Sequence, residues 1–214
     1  KEVSAFRFVW DKAMSKAMIV FALPLAIAGF AGIINETIDR ILIKRLLMGE
    51  GSEQELIYAQ SQVGIYSANY KLSILITIFI QAFRYAAEPF FFAQEKNEDK
   101  NKVYAKVMTY FIGIVCLMFL VISLNLEFFK WFIPNTDYHE GLKVVPILLL
   151  ANICLGIYYN QSIWYKLADK TKFGAYIAIG GAILTLALNF ALIPVFGYLG
   201  AAWTTLAVYF SMMV

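Results

Sequence analysis

The sequence predicts an all-α integral membrane protein, and three observations lead there. Hydrophobic residues make up 61% of the 214 and charged residues 15%, whereas soluble domains average about 45–50% apolar and about 25% charged. Mean hydropathy is +0.67 and aromatics reach 16%, more apolar surface than a soluble fold of this length has interior to hide. The apolar residues also gather into runs close to the ~20 residues that a helix needs to cross a bilayer.

Six spans are expected, at about residues 15–47, 63–92, 104–126, 142–165, 172–193 and 199–214, in one transmembrane bundle covering 1–214. The first has an uncharged stretch at 17–34 containing Pro24, a kink that membrane helices tolerate. It continues through the polar sequence NETIDRILIKRLL. The second is interrupted by Lys71, Arg84 and Glu88. The last two come from residues 173–214, which carry no charge. One straight helix there would be roughly 60 Å long, about twice the hydrocarbon thickness. Pro194 and Gly197 in IPVFGYLG supply the turn that divides it. The chain begins at Lys1 and stops at Val214 inside an apolar segment, so a piece of a longer protein is expected.

Basic residues orient the bundle. Lys1, Arg7, Lys12 and Lys16, then Lys96, Lys100, Lys102 and Lys106, then Lys166, Lys170 and Lys172 fall on one side. The other side has Arg40, Lys44, Arg45, Lys130 and Lys143. The richer side is expected in the cytoplasm, with QEKNEDKNK and KLADKTK as cytoplasmic loops. Trp131 and Trp164, near span ends, read as interfacial anchors. VGIYSANY and FGYLGAAW echo each other at helix entries on the outer side, as coincidence or as an inherited repeat of the kind transporters carry.

Several function classes find no support. A net charge of +3, without a basic stripe interleaved with aromatics, argues against a nucleic-acid partner. Cys116 and Cys154 lie in apolar runs and read as buried small hydrophobes. His139 has no second histidine and no neighbouring cysteine, so no metal site is expected. No nucleophile–base pair or phosphate-cradling glycine loop can be assembled, so neither an enzyme nor a cofactor is expected.

The second span carries the main polar signal. At 100° per residue, Tyr66, Tyr70, Ser73, Thr77, Gln81, Arg84 and Glu88 fall within about 40° of one line. Such a seam faces a neighbouring helix or a water-filled cavity rather than lipid. In the first case Arg84 and Glu88 would form an i, i+4 pair near the interface, although Arg before Glu is the weaker orientation. The length of the seam in register favours the cavity. Lys71 lies about 120° away and either snorkels or serves a second face of that cavity.

On the first span, Asn35, Glu36, Asp39, Arg40 and Lys44 read as a solvated helix end. Gly29 and Gly32, on the Glu36 face, are expected to let another helix approach closely. Glu36, Asp39 and Glu88 are the carboxylates able to hold a coupling proton or sodium ion. Asn152, Gly156 and Tyr159 share a face on the fourth span, with Asn160 nearby. Inter-helix hydrogen bonding is expected there and at Asn189.

GIYSANYKLS, FRYAAEPFFF, LGIYYNQSIWYKLADKTKFGAY and LNFALIPVFGYLGAAW together resemble the polysaccharide (O-antigen-type) flippases of the multidrug/oligosaccharidyl-lipid/polysaccharide (MOP) exporter superfamily. The resemblance runs from about Trp10 onward. It implies one lobe, the seventh through twelfth helices, of a MATE/MOP-like two-bundle transporter in a bacterial inner membrane. It further implies alternating access and transport of a polyprenyl-pyrophosphate-linked oligosaccharide, an O-antigen or capsule repeat unit. Glycosyltransferases or a polymerase of the same pathway are the implied protein partners. The substrate-binding residues it suggests by type and depth are Arg84, Arg40 and Lys71, with Gln81, Thr77, Ser73 and Tyr70 of the seam offering hydrogen bonds. A multidrug/cation antiporter of the same superfamily and a membrane-bound polysaccharide polymerase or ligase are the alternatives.

Overall fold

The computed structural model describes residues 11–50 and 52–214. Lys1 and Arg7 of the basic side, and Trp10, where the resemblance begins, lie outside the described residues. The described residues fold into helices and connecting turns, with no strand among them.

Helix α1 spans Lys12–Leu47 and continues unbroken through Pro24. Asp11 caps it, accepting from the Ala13 and Met14 amides at 2.8 and 3.2 Å. These bonds satisfy donors that lack an intrahelical partner in the first turn. The first half of α1 exposes Met14, Met18, Leu23 and Phe30. Its second half buries Ala31, Asn35, Asp39, Leu42 and Ile43, a helical-period stripe.

Helix α2 spans Glu53–Gln94, ten residues longer at its start than its apolar run predicts. The extension is polar, so hydropathy misses it, but the chain signals the start by another means. Ser52 and Glu55 form a reciprocal capping box, which satisfies two otherwise orphaned donors.

Helix α3 (Lys100–Leu124) buries only Phe111, Val115 and Ile122. The expected fourth span is compound. A short helix α4 (Leu126–Phe129) and 3-10 turns at Lys130–Phe132 and Thr136–Val144 lead into α5 (Val145–Gln161). Pro146 occupies the first turn of α5, where its missing N–H costs nothing, and α6 (Ile163–Leu167) follows.

Helix α7 (Lys172–Phe196) and α8 (Tyr198–Met213) are divided at Gly197. Its φ of +57° is open to glycine and strained for most other residues. Pro194 sits inside the last turn of α7 rather than at the break.

Five helical stretches are long and apolar enough to cross a membrane: Lys12–Leu47, Glu53–Gln94, Lys100–Leu124, Thr136–Leu167 and Lys172–Phe196. The chain is therefore an all-α, multi-pass membrane protein. The sixth expected span, α8, has 16 residues, roughly 24 Å of helix against a hydrocarbon layer of ~30 Å.

Helix α1 packs along α7, and α5 packs along α8. One core, with Ile43, Tyr66, Leu148, Ile193 and Ala201, joins α1, α2, α5, α7 and α8. A second, with Ile76, Ile80, Phe111, Val115 and Leu149, fastens α3 to α2 and α5. Gly156 makes that contact possible, since a side chain there would meet Phe111 and Ile80 within 3.0 Å.

Candidate functional site

A cavity of about 670 Å³ opens between α1, α2 and the α5–α6 segment, with α7 and α8 closing its far side. Helix α2 contributes Arg84 and Tyr85; α5 contributes Tyr158 and Tyr159; α6 contributes Tyr165 and Lys166. Tyr209 comes from α8, and α1 adds Asn35, Glu36, Ala28, Gly29 and Gly32. The two glycines have open space where a side chain would stand. They widen this cavity, which corrects the expectation that they bring a helix close.

Arg84 lies with its guanidinium carbon 4.7 Å from the centre of the Tyr159 ring. Ion pairs among the described residues join Glu95 to Lys100, Asp99 to Lys102, Glu127 to Lys130 and Glu88 to Lys166. Arg84 thus has no carboxylate partner, and the expected Arg84–Glu88 pair does not form. Glu88 instead accepts from Lys166 of α6 at 2.7 Å, a contact between elements rather than along one helix. An arginine stacked on a ring keeps its edge donors free for a planar oxyanion. The surrounding tyrosines add hydroxyl donors and apolar ring faces.

The polar seam of α2 divides at its middle. Tyr66, Tyr70 and Ser73 are buried in helix contacts. The Ser73 hydroxyl donates to the Tyr70 carbonyl at 2.7 Å, and the Asn152 amide donates to the Ser73 carbonyl at 3.4 Å. Thr77, half-buried, also donates to the Ser73 carbonyl, at 3.4 Å. Gln81 is half-buried as well. Neither residue lines the cavity. Arg40 stacks on Tyr70, 4.6 Å from its ring centre, and donates to the Glu36 carbonyl at 3.2 Å. Lys71 is exposed. Of the candidate substrate contacts, then, the cavity gathers Arg84 alone. Tyr70 and Ser73 stand outside it because close packing of α2 on α1 and α5 closes the N-terminal half of the seam; Arg40 stands on Tyr70 at that closed half, and Lys71 lies off the seam on the exposed surface.

The polar cluster of α1 is likewise not one solvated end. Glu36 and Lys44 are exposed, but Asn35 and Asp39 are buried, Asp39 to 1% exposure. Three neutral donors converge on the Asp39 carboxylate: Tyr66 Oη at 2.9 Å, Asn189 Nδ2 at 2.7 Å and Thr205 Oγ1 at 2.9 Å. They come from α2, α7 and α8. One turn earlier, Thr185 of α7 donates to Asn35 Oδ1 at 2.9 Å. Asn35 Nδ2, Asn189 Oδ1 and Thr204 Oγ1 are buried without a hydrogen-bond partner among the described residues. Asn189 therefore does bond across helices, and to a carboxylate.

Among the described residues Asp39 has no cation in ion-pair contact, and an isolated buried carboxylate is costly. A proton or a small hard cation would remove that cost, and the uncommitted Asn189 Oδ1 is an oxygen of the type that such cations take. Thr185, Thr205 and Lys166 are site residues that sequence reasoning missed. The parallel i, i+4 pairs Asn35/Asp39 on α1 and Thr185/Asn189 on α7 were the available signal for the first of these.

No protein-family model, curated protein or solved structure matches this chain.

Proposed function

We propose that the chain is one lobe of an exporter that moves a polyprenyl-diphosphate-linked oligosaccharide from the cytoplasmic to the outer leaflet. The observation that carries this reading is Arg84. It makes no ion pair with a carboxylate among the described residues, lies over Tyr159, and turns into a 670 Å³ cavity rich in tyrosines. The diphosphate meets charge-assisted donors from Arg84. Sugar hydroxyls meet the tyrosine hydroxyls, and sugar faces meet the tyrosine rings. Apolar and small residues of α1, including Leu25, Ala28 and Gly29, form the wall along which a lipid tail passes. The buried Asp39 cluster supplies the coupling-ion site. It ties α1, α2, α7 and α8 to a single carboxylate, so a change in its charge alters four helices together.

A second reading has its own observation. Glu36 lines the same cavity, and an exposed carboxylate there suits an organic cation, as in a drug or cation antiporter.

Export of surface polysaccharide separates the two. Arg84→Ala is expected to reduce it at least tenfold, about 1.4 kcal/mol in the transport barrier, while the protein still inserts at normal abundance. Arg84→Glu is expected to reduce it further. Normal polysaccharide from a well-expressed Arg84→Ala protein counts against the flippase reading. Normal polysaccharide together with a drug-sensitivity phenotype in Glu36→Gln favours the antiporter.

A further inference from the structure

The α6 side of the cavity holds a second cation already engaged by a rival anion. Lys166 lines the cavity beside Tyr165, and its side chain is 15% exposed. Its ammonium lies 2.7 Å from Glu88 Oε1. Glu88 is one helical turn beyond Arg84 on α2, yet only Arg84 turns into the cavity while Glu88 reaches across to α6. The chain thus places two cations at one end of a cavity and neutralises one of them with its own carboxylate. An ammonium carries three donors on a flexible stem, so Lys166 can keep a bond to Glu88 or pass it to an oxyanion without refolding α6.

We propose that Lys166 is the second diphosphate-binding residue and that Glu88 is its built-in competitor. Arg84 takes one phosphate group. The other draws Lys166 from Glu88, and Glu88 recaptures Lys166 as the head group leaves. The exchange explains how a cavity with two cations releases a polyanion. It also favours a diphosphate over a single phosphate, because only the former reaches both cations at once. Glu88 is then part of anion release and not a coupling-ion ligand. This inference rests on the anion-binding reading of the cavity argued above.

The test is calorimetric titration of the purified full chain in detergent with inorganic pyrophosphate, and in parallel with inorganic phosphate. Glu88→Gln is expected to tighten pyrophosphate binding about tenfold, and Lys166→Gln to weaken it by a similar factor. Lys166→Arg should stay within about threefold of wild type. The double variant Glu88→Gln/Lys166→Gln should bind no more tightly than Lys166→Gln, because the competitor acts only through the lysine. The charge swap Glu88→Lys/Lys166→Glu keeps an ion pair, and so the melting temperature, but puts a carboxylate in the cavity and should bind more weakly than Lys166→Gln.

If Glu88→Gln binds no more tightly than wild type while Arg84→Gln binds more weakly, the competition is overturned and the anion-binding cavity stands. A gain from Glu88→Gln that survives in the double variant also overturns it, because Glu88 then acts as a distant repulsive charge. Pyrophosphate binding indifferent to Arg84→Gln, or absent from both wild type and Glu88→Gln, overturns the anion-binding reading itself.

Discussion

Asp39 shows how much one side chain can govern in a bundle of this kind. Its two oxygens divide three donors: Tyr66 and Thr205 on Oδ2, Asn189 on Oδ1. Removing the acceptors orphans Tyr66 and Asn189, at about 1–3 kcal/mol each, while Thr205 keeps the Ala201 carbonyl at 2.9 Å. Asp39→Leu is therefore expected to lose several kcal/mol of stability, read as a large fall in melting temperature in detergent. Asp39→Asn is a different case. The retained oxygen can serve Tyr66 and Thr205. The new amide can donate to Asn189 once that side chain turns its uncommitted Oδ1 inward. All contacts survive while the charge does not. Asp39→Asn should accordingly stay within about 1 kcal/mol of wild-type stability yet lose export. Wild-type export from Asp39→Asn would remove Asp39 from the coupling role, and a collapse of its stability would refute the hydrogen-bond assignment.

At the scale of elements, the α7–α8 junction depends on two glycines for different reasons. Gly197 supplies the positive φ. Gly200 permits contact, because a side chain there would stand 2.5 Å from the Leu192 carbonyl oxygen and 2.9 Å from the Ile193 nitrogen. Those are backbone atoms and cannot swing aside. Gly200→Ala should therefore cost about 1–3 kcal/mol, the usual penalty for overpacking. Gly180→Ala, in the open on α7, should be neutral or gain up to ~1 kcal/mol in helix propensity. Melting temperatures in detergent check both, and a Gly200→Ala protein as stable as Gly180→Ala would contradict the close approach. IPVFGYLG marked this junction in the sequence because Pro and Gly act locally, and long apolar runs marked the spans for the same reason. The start of α2 was hidden because its signal is a cap and not hydropathy. The Asp39 site was hidden because its partners lie 27, 150 and 166 residues away and Asp39 itself sits in a run with Arg40, Lys44 and Arg45. Lys166 looked like one more loop lysine in KLADKTK, since Glu88 is 78 residues distant.

For the whole molecule, the decisive property is which interior surfaces meet water. The helical wheel joins Ser73 to Arg84 in one seam, but tertiary packing separates them: Ser73 is sealed between helices, and Arg84 opens into the cavity. A transport path needs the second kind of surface, because a polar head group crosses the hydrocarbon layer only where water or protein dipoles replace its hydration. Thiol labelling distinguishes the two. With Cys116→Ser and Cys154→Ala as background, single cysteines at Glu36 and Tyr159 are expected to react readily with a membrane-impermeant thiol reagent. Cysteines at Ser73 and Val208, both buried in helix contacts, are expected to stay unreactive. A cysteine at Ile114, on the exposed face of α3, should be equally inert because lipid, not water, covers it. Pyrophosphate should slow labelling at Tyr159, beside Arg84, and leave the rates at Ser73 and Ile114 unchanged. Reactivity at Ser73 equal to that at Tyr159 would restore a single wet seam along α2. Silence at both Glu36 and Tyr159 would leave the cavity dry, with no path for a charged head group through this bundle.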